Sequence, residues 1–234
     1  MQTIAAAYEA VRERVAAAAA RSGRTPEAVT LVAVSKTRSV EEIMQVLEAG
    51  ARDLGENYVQ ELVAKRKARA AKGPRDLRWH VIGTLQRNKV KYIAPFCALI
   101  HSLDSRALAD EIERRAAQCD RKQPVLIEVN IAGETSKSGV SPAEAQELAE
   151  YVVGLTHVEL RGLMTMTPYG ASETECRRCF ASLRQLGERL GRDLPPGAMA
   201  ELSMGMTQDY EWAVEEGATI VRVGTAIFGP RSTT

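Results

Sequence analysis

Apolar positions along this chain follow two alternating rhythms. Short β-branched and aliphatic runs, such as Leu31-Val32-Ala33-Val34, read as buried strands. Between them, apolar residues return with the period of a helix that buries one face. A first helix covers residues 3–21, with Ile4, Tyr8, Val11 and Val15 on one side, and Ser22-Gly23-Arg24-Thr25-Pro26 ends it. Strands are expected at Val29–Val34, Asp53–Leu54, Arg78–Ile82, Leu99–Ser102, Val125–Asn130, Val158–Met164, Met199–Leu202 and Thr219–Val223. Helices are expected between them at Val40–Ala49, Tyr58–Ala71, Arg87–Ile93, Arg106–Cys119, Pro142–Val153, Glu173–Leu190 and Gln208–Glu216. Ser105 and Ser141 stand where N-caps belong, and Gly50 and Gly217 follow helix ends.

Strands that alternate with helices argue for a parallel sheet. Eight such units in 234 residues argue for one closed (β/α)8 TIM barrel of the α/β class, since that fold typically takes ~250 residues. The expectation is a single domain over 1–234 with an extra N-terminal helix. A doubly wound open sheet is the competitor. Its dinucleotide-binding version is weakened, because no Gly-x-Gly-x-x-Gly turn follows the first strand. No linker, low-complexity stretch or internal repeat interrupts the pattern.

In a barrel of this kind the functional residues gather at the C-terminal ends of the strands. Here those ends are Ser35-Lys36, Gly55-Glu56-Asn57, Gly83-Thr84, Asp104, Asn130, Met164-Thr165-Met166, Ser203-Met204-Gly205 and Gly224-Thr225. Lys36 stands out. An ammonium at the end of a buried strand needs a partner, and a lysine in a partly dry pocket becomes a nucleophilic amine able to form a Schiff base. A side chain that snorkels to the rim is the bland alternative. Leu202-Ser203-Met204-Gly205-Met206-Thr207 and Arg222-Val223-Gly224-Thr225 follow the seventh and eighth strands, where barrels of this kind frequently bind phosphate. Their glycines admit a close backbone approach, and hydroxyls and free N–H groups can donate; turn-making is the alternative role. Arg222 interrupts an apolar strand, so it must meet a ligand or an ion-pair partner such as Glu201 or Glu128. Asn57 is either a ligand donor or a turn residue. A reactive lysine facing a phosphate cradle suits pyridoxal 5′-phosphate (PLP) or the sugar-phosphate substrate of a Schiff-base aldolase.

Composition narrows the field. Hydrophobic residues make up 45% and charged residues 26%, ordinary for a soluble globular protein, and the net charge of +1 gives no support for nucleic-acid or membrane-surface binding. The basic run Lys65-Arg66-Lys67-Ala68-Arg69 with Lys72 reads as a solvated helix face. No apolar run spans a bilayer and the N-terminus is not a signal peptide, so a cytoplasmic protein is expected. Cys176 and Cys179 have metal-like spacing but share an apolar helical stripe with Phe180, Leu183, Leu186 and Leu190; they read as core residues, and no metal is expected.

A series of motifs then points to a family. Val32-Ala33-Val34-Ser35-Lys36-Thr37, Gly55-Glu56-Asn57-Tyr58-Val59-Gln60-Glu61, Trp79-His80-Val81-Ile82-Gly83-Thr84-Leu85-Gln86-Arg87-Asn88-Lys89 and His101-Ser102-Leu103-Asp104-Ser105 occur in order. They are followed by Ser136-Lys137-Ser138-Gly139, Gly162-Leu163-Met164-Thr165-Met166, Leu202-Ser203-Met204-Gly205-Met206 and Arg222-Val223-Gly224-Thr225-Ala226-Ile227-Phe228-Gly229. Together they resemble the pyridoxal phosphate homeostasis protein family, single-domain relatives of the alanine racemase barrel domain. The resemblance implies PLP held as a Schiff base on Lys36. It places the phosphate on Ser203, Gly205, Gly224 and Thr225, Arg222 near the pyridine nitrogen, and Asn57 and Met166 along the ring, with Met204 also among the cofactor-binding residues. Two positions depart from the family pattern. Arg38 replaces a second lysine, which puts any relay of PLP through that position in doubt, and Thr84 stands where proline or histidine is common. Lys137 matches.

The resemblance also bears on turnover. PLP enzymes often pair a carboxylate with the pyridine nitrogen to make a strong electron sink; an arginine there weakens it. Racemisation needs an acid or base on both faces of the substrate. By resemblance, alanine racemase takes its second base from a further domain of a partner subunit, whereas this chain is filled by the barrel. Tyr169 and His80 are the available substitutes, and packing or loop roles account for both. The expectation is a non-catalytic PLP carrier and regulator of vitamin B6 pools, with PLP-requiring apoenzymes as partners and a monomeric state. A PLP-dependent amino-acid racemase is the alternative.

Overall fold

The structure is a computed structural model that describes residues 3–69, 76–134 and 138–230. The chain opens with α1 (Ile4–Arg21) and then alternates β1 (Thr30–Val34), α2 (Val40–Glu48), β2 (Asp53–Glu56), α3 (Val59–Arg69), β3 (Arg78–Val81), α4 (Val90–Ile93), β4 (Leu99–Leu103) and α5 (Arg106–Gln118). It continues through β5 (Gln123–Glu128), α6 (Pro142–Val153), β6 (Val158–Met164), α7 (Glu173–Leu190), β7 (Glu201–Ser203), α8 (Tyr210–Glu215), β8 (Ile220–Val223) and α9 (Thr225–Phe228). The strands run in sequence order around a closed parallel barrel. β8 pairs with β1 in the register Thr30↔Ile220 to Ala33↔Val223, which closes the ring.

Local chemistry explains where the elements begin. Ser39, Ser141 and Ser172 each cap a helix through a reciprocal capping box with Glu42, Glu144 and Glu175, a device that satisfies two otherwise orphaned N–H groups. The expected strand ending at Asn130 stops at Glu128, because Val129 pairs only with Val140 in an isolated bridge. β2 runs two residues past Leu54, to Glu56. α9 is an addition to the expected elements, too short to show a period in sequence. The helix expected to run to Ala71 has its end outside the described residues.

Two apolar layers hold the barrel. The larger packs outward-facing strand residues such as Ala33, Leu54, Val81, Ile100, Ile127, Leu163 and Val221 against the helices. The smaller fills the barrel interior with Val32, Leu99, Leu126, Met164 and Ile220. α1 adds Tyr8, Val11, Val15, Ala18 and Ala19 to the outer layer, where it packs against α8, α9 and α2 around the seam of β8 with β1. Among the described residues, no helix is long and apolar enough to cross a membrane.

Where β6 lies against β7, Gly162 pairs with Glu201 and has φ of 153°. A Cβ at Gly162 would run into the Glu201 backbone, which has no flexible end to yield. Gly162→Ala should therefore cost at least about 2 kcal/mol, from backbone strain and steric overlap together, read as a lowered midpoint in chemical denaturation.

Candidate functional site

A cavity of about 670 Å³ opens at the C-terminal ends of the strands, within the ~300–1,000 Å³ usual for small-molecule sites. Val34 and Lys36 line it from β1, Asn57 and Ile82 from the ends of β2 and β3, and Met166 and Thr167 from the end of β6. Thr207 and Asp209 border it after β7, and Arg222, Gly224 and Thr225 complete it from β8. Period-two alternation explains the selection: Val32, Val34 and Lys36 share one face of β1, and Ile220, Arg222 and Gly224 share one face of β8.

The residues flanking Lys36 are fixed from behind. The Ser35 hydroxyl donates to Glu56 Oε1 at 2.6 Å. The Lys65 ammonium donates to the Ser35 carbonyl, to Glu56 Oε1 at 2.7 Å and to Glu61 Oε1 at 2.6 Å. The Thr37 N–H donates to Glu61 Oε1 at 2.5 Å. Thr37 takes a φ of 63°, uncommon for a β-branched residue, so these contacts hold a backbone bend that directs Lys36 into the cavity. Burial pushes the Glu56 carboxyl up, while Lys65 and Ser35 oppose the shift. Lys65 thus corrects the reading of its helix as a solvated basic face: it is buried, while Arg66 and Lys67 remain exposed. Lys72 and the Arg69 side chain lie outside the described residues.

The cavity floor is cationic. Arg222 is buried, and its guanidinium donates to the Ser203 hydroxyl at 2.5 Å and to the Thr165 carbonyl at 3.0 Å. Burial lowers its pKa to about 10, with Asp209 and Glu128 pulling the other way. Neither ion pair offered as the alternative to a ligand role is found among the described contacts: Glu201 lies beside Arg161, and no oxygen of Glu128 comes within salt-bridge range of Arg222. Asp209 instead ties two loops together, accepting from the Met206 N–H and from the Thr167 hydroxyl, both at 2.6 Å.

Of the nine residues singled out for cofactor contact, Lys36, Asn57, Met166, Arg222, Gly224 and Thr225 line the cavity, and Ser203, Met204 and Gly205 do not. The Ser203 hydroxyl points into the barrel, engaged by Arg222 and by His101 Nδ1 at 2.8 Å. Met204 joins the outer core. Gly205 has φ of 93°, and a Cβ there would lie 2.6 Å from Ala213 Cβ, so only glycine fits. Among the described residues, the N–H groups of Gly205, Gly224 and Thr225 meet no protein acceptor, which leaves donors free for an anion at this end. Arg38 is not at the cavity. It donates to the carbonyls of Gly229 and Pro230 and pairs with Glu42, clasping the segment after α9. Thr84 meets Ser138 at 3.2 Å, and Lys137 lies outside the described residues.

The chain matches the model of the alanine racemase N-terminal domain over residues 7–232. It is 46% identical to the pyridoxal phosphate homeostasis protein of Aquifex aeolicus, covering 94% of this chain and 95% of that one. It is 42% identical to the protein of the same name from Escherichia coli K12, over 99% and 98% of the two chains. The chain belongs to the pyridoxal phosphate homeostasis protein family. Among solved structures similar to this family member, PipY of Synechococcus elongatus with PLP bound has a TM-score of 0.82 at 36% identity, covering 94% of this chain and 100% of that one. A Corynebacterium glutamicum alanine racemase shares the fold alone, with a TM-score of 0.67 at 16% identity over 96% of this chain and 62% of that one.

Thr167, Asp209 and Cys176 at the cavity escaped sequence reasoning as site residues, while Glu128, named there only as a candidate partner of Arg222, lies beneath it. Glu128 is buried on the inward face of β5, and burial and Asp104 push its carboxyl up to about 7 against the pull of Arg222. A period-two reading of β5, with Leu126 inward, places it there. A folded-state pKa above the ordinary 4.5 means that the folded protein binds this proton more tightly. Stability from this group is therefore full below about pH 4.5 and falls as pH rises toward 7. Glu128→Gln should stabilise the protein at pH 8 by on the order of 2 kcal/mol, with the gain shrinking toward pH 4.5, as read by urea denaturation at both values.

Proposed function

We propose that this chain binds PLP as a Schiff base on Lys36 and serves to hold and release the cofactor, regulating PLP and vitamin B6 levels without catalytic turnover. The observation that carries the reading is one cavity with a lysine on one wall, free backbone N–H groups on the opposite wall and a buried arginine at the floor. The donor set fits the cofactor. Gly205, Gly224 and Thr225 would hold the phosphate through backbone N–H groups, Met204 and Ser203 would support that wall from behind, and Asn57 and Met166 would flank the ring. Arg222 would meet the pyridine nitrogen. Bound PLP would supply an electrophilic aldehyde for capture by Lys36. The names of the relatives and the PLP-bound relative support the same assignment.

The surroundings of Lys36 support the proposed absence of turnover. A cation at the floor opposes ring protonation and so weakens carbanion stabilisation. The candidates for a second base are poorly suited. Tyr169 is 98% exposed at the rim. His80 is buried and hydrogen-bonded to Asp53 and His101. Cys176 borders the cavity, but burial raises its thiol pKa, with Asp209 adding to the shift. PLP-requiring apoenzymes are the proposed recipients. A PLP-dependent racemase is the second reading, and the cavity-lining Cys176 is the feature that favours it.

Borohydride reduction of the PLP-loaded protein, followed by peptide mapping, should place the pyridoxyl group on Lys36, and Lys36→Ala should abolish it. A modified peptide elsewhere would overturn the assignment. Incubation with alanine, serine or threonine should yield neither enantiomer exchange nor other product. Steady turnover lost in Lys36→Ala would establish the racemase reading instead.

A further inference from the structure

The barrel interior holds a continuous polar string that the cofactor site does not by itself require. Arg222 Nη1 donates to Ser203 Oγ at 2.5 Å; Ser203 Oγ lies 2.8 Å from His101 Nδ1; His101 Nε2 lies 2.9 Å from His80 Nδ1; and His80 Nε2 lies 2.9 Å from Asp53 Oδ1. The string crosses β8, β7, β4, β3 and β2. It ends at Asp53, the first residue of β2, whose carboxylate also accepts two bonds from Arg78, at 2.6 and 2.5 Å. Every member from Asp53 to Arg222 is buried, while the Arg78 side chain is 57% exposed. One end therefore sits at the N-terminal rim of the barrel and the other at the cavity floor.

Hydrogen-bond logic gives the string a direction. Burial pushes the Asp53 carboxyl up, but Arg78 and His80 outweigh it and hold the group below its ordinary value. Asp53 is thus an acceptor only, so His80 Nε2 must carry a proton. Burial, and then the charges of His80 and Arg222, drive the His101 pKa well down, so His101 is a neutral ring with one donor and one acceptor. Arg222 can only donate, so the Ser203 hydroxyl proton goes to its other partner, His101 Nδ1, and His101 Nε2–H donates to His80 Nδ1. This leaves the Ser203 lone pairs for Arg222. Every bond in the string is then satisfied, with the two rings in the same tautomer.

We propose that Asp53, His80 and His101 are positioning residues that fix the direction of the Ser203 hydroxyl and through it hold the Arg222 guanidinium at the cavity floor. The inference rests on the reading that PLP occupies the cavity, with Arg222 at its ring nitrogen. Asp53→Asn is the probing change, since it preserves shape and reverses polarity. The introduced amide would donate to His80 Nε2, His80 Nδ1–H would donate to His101 Nε2, and His101 Nδ1–H would compete with Arg222 for Ser203.

The test is nitrogen NMR of the protein labelled with 15N-histidine, read before any PLP is added. His157, whose Nδ1 lies 2.9 Å from Glu113, is identified by its loss in His157→Asn. Wild-type His80 and His101 should both show the neutral Nε2–H tautomer. An Nδ1–H tautomer or an imidazolium at either one overturns the proposal, whether or not Asp53→Asn folds. In Asp53→Asn both should switch to Nδ1–H, and PLP should bind roughly tenfold more weakly. His101→Asn, which keeps an acceptor for Ser203, should bind PLP better than His101→Leu. Switched tautomers with unchanged PLP affinity would overturn the positioning role. Failure of the wild-type protein to form any Schiff-base absorbance would instead count against PLP occupancy.

Discussion

A guanidinium buried inside a parallel barrel is the constraint around which the rest of this protein is arranged. Removing Arg222 from water has a cost that only hydrogen bonds and nearby charge can offset. The Ser203 hydroxyl oxygen and the Thr165 carbonyl accept its hydrogen bonds, and Asp209 and Glu128 supply the opposing field. The interior divides accordingly. Val32, Leu99, Leu126, Met164 and Ile220 form the apolar part of the fill, and the string from Arg222 to Asp53 forms the polar part. A barrel required only to fold would have packed branched aliphatic side chains throughout.

Function follows from what stands above that floor. The contacts of Lys65, Glu56 and Glu61 fix the chain on both sides of Lys36, so the amine enters the cavity from a rigid base. The opposite wall carries Gly224 and Thr225, and behind it stands Gly205, where a side chain would collide with Ala213. These two walls suit an aldehyde that carries a phosphate. Under the proposed function, a cationic floor suits a ring nitrogen left unprotonated, in keeping with capture rather than carbanion chemistry. The family's members carry a name that speaks of homeostasis, in keeping with such a site.

Much of this is legible in the chain itself. Alternation of short apolar runs and helical patterns yields eight strands and the barrel, because parallel strands bury one face against helices and the other inside the barrel. Lys36, Asn57, Met166, Arg222, Gly224 and Thr225 can be placed at the mouth because strand ends are readable. The direction of Ser203 is not, since a hydroxyl at a strand end serves a phosphate or a buried arginine equally well in sequence. Lys65 escapes for a related reason: in a run of basic residues, nothing local marks the one that turns inward to meet Glu56 across the fold. His80 and His101 are 21 residues apart and meet only because β3 and β4 are neighbours. Long-range pairing of polar groups is the part of a structure that periodicity leaves blank.

The central claim is that Arg222 faces the ring nitrogen of a cofactor held on Lys36. It is tested most directly with PLP labelled with 15N at that nitrogen and bound to the protein. The account predicts the nitrogen resonance of an unprotonated, hydrogen-bonded pyridine, displaced in Arg222→Lys. A pyridinium resonance in the wild-type protein would contradict it.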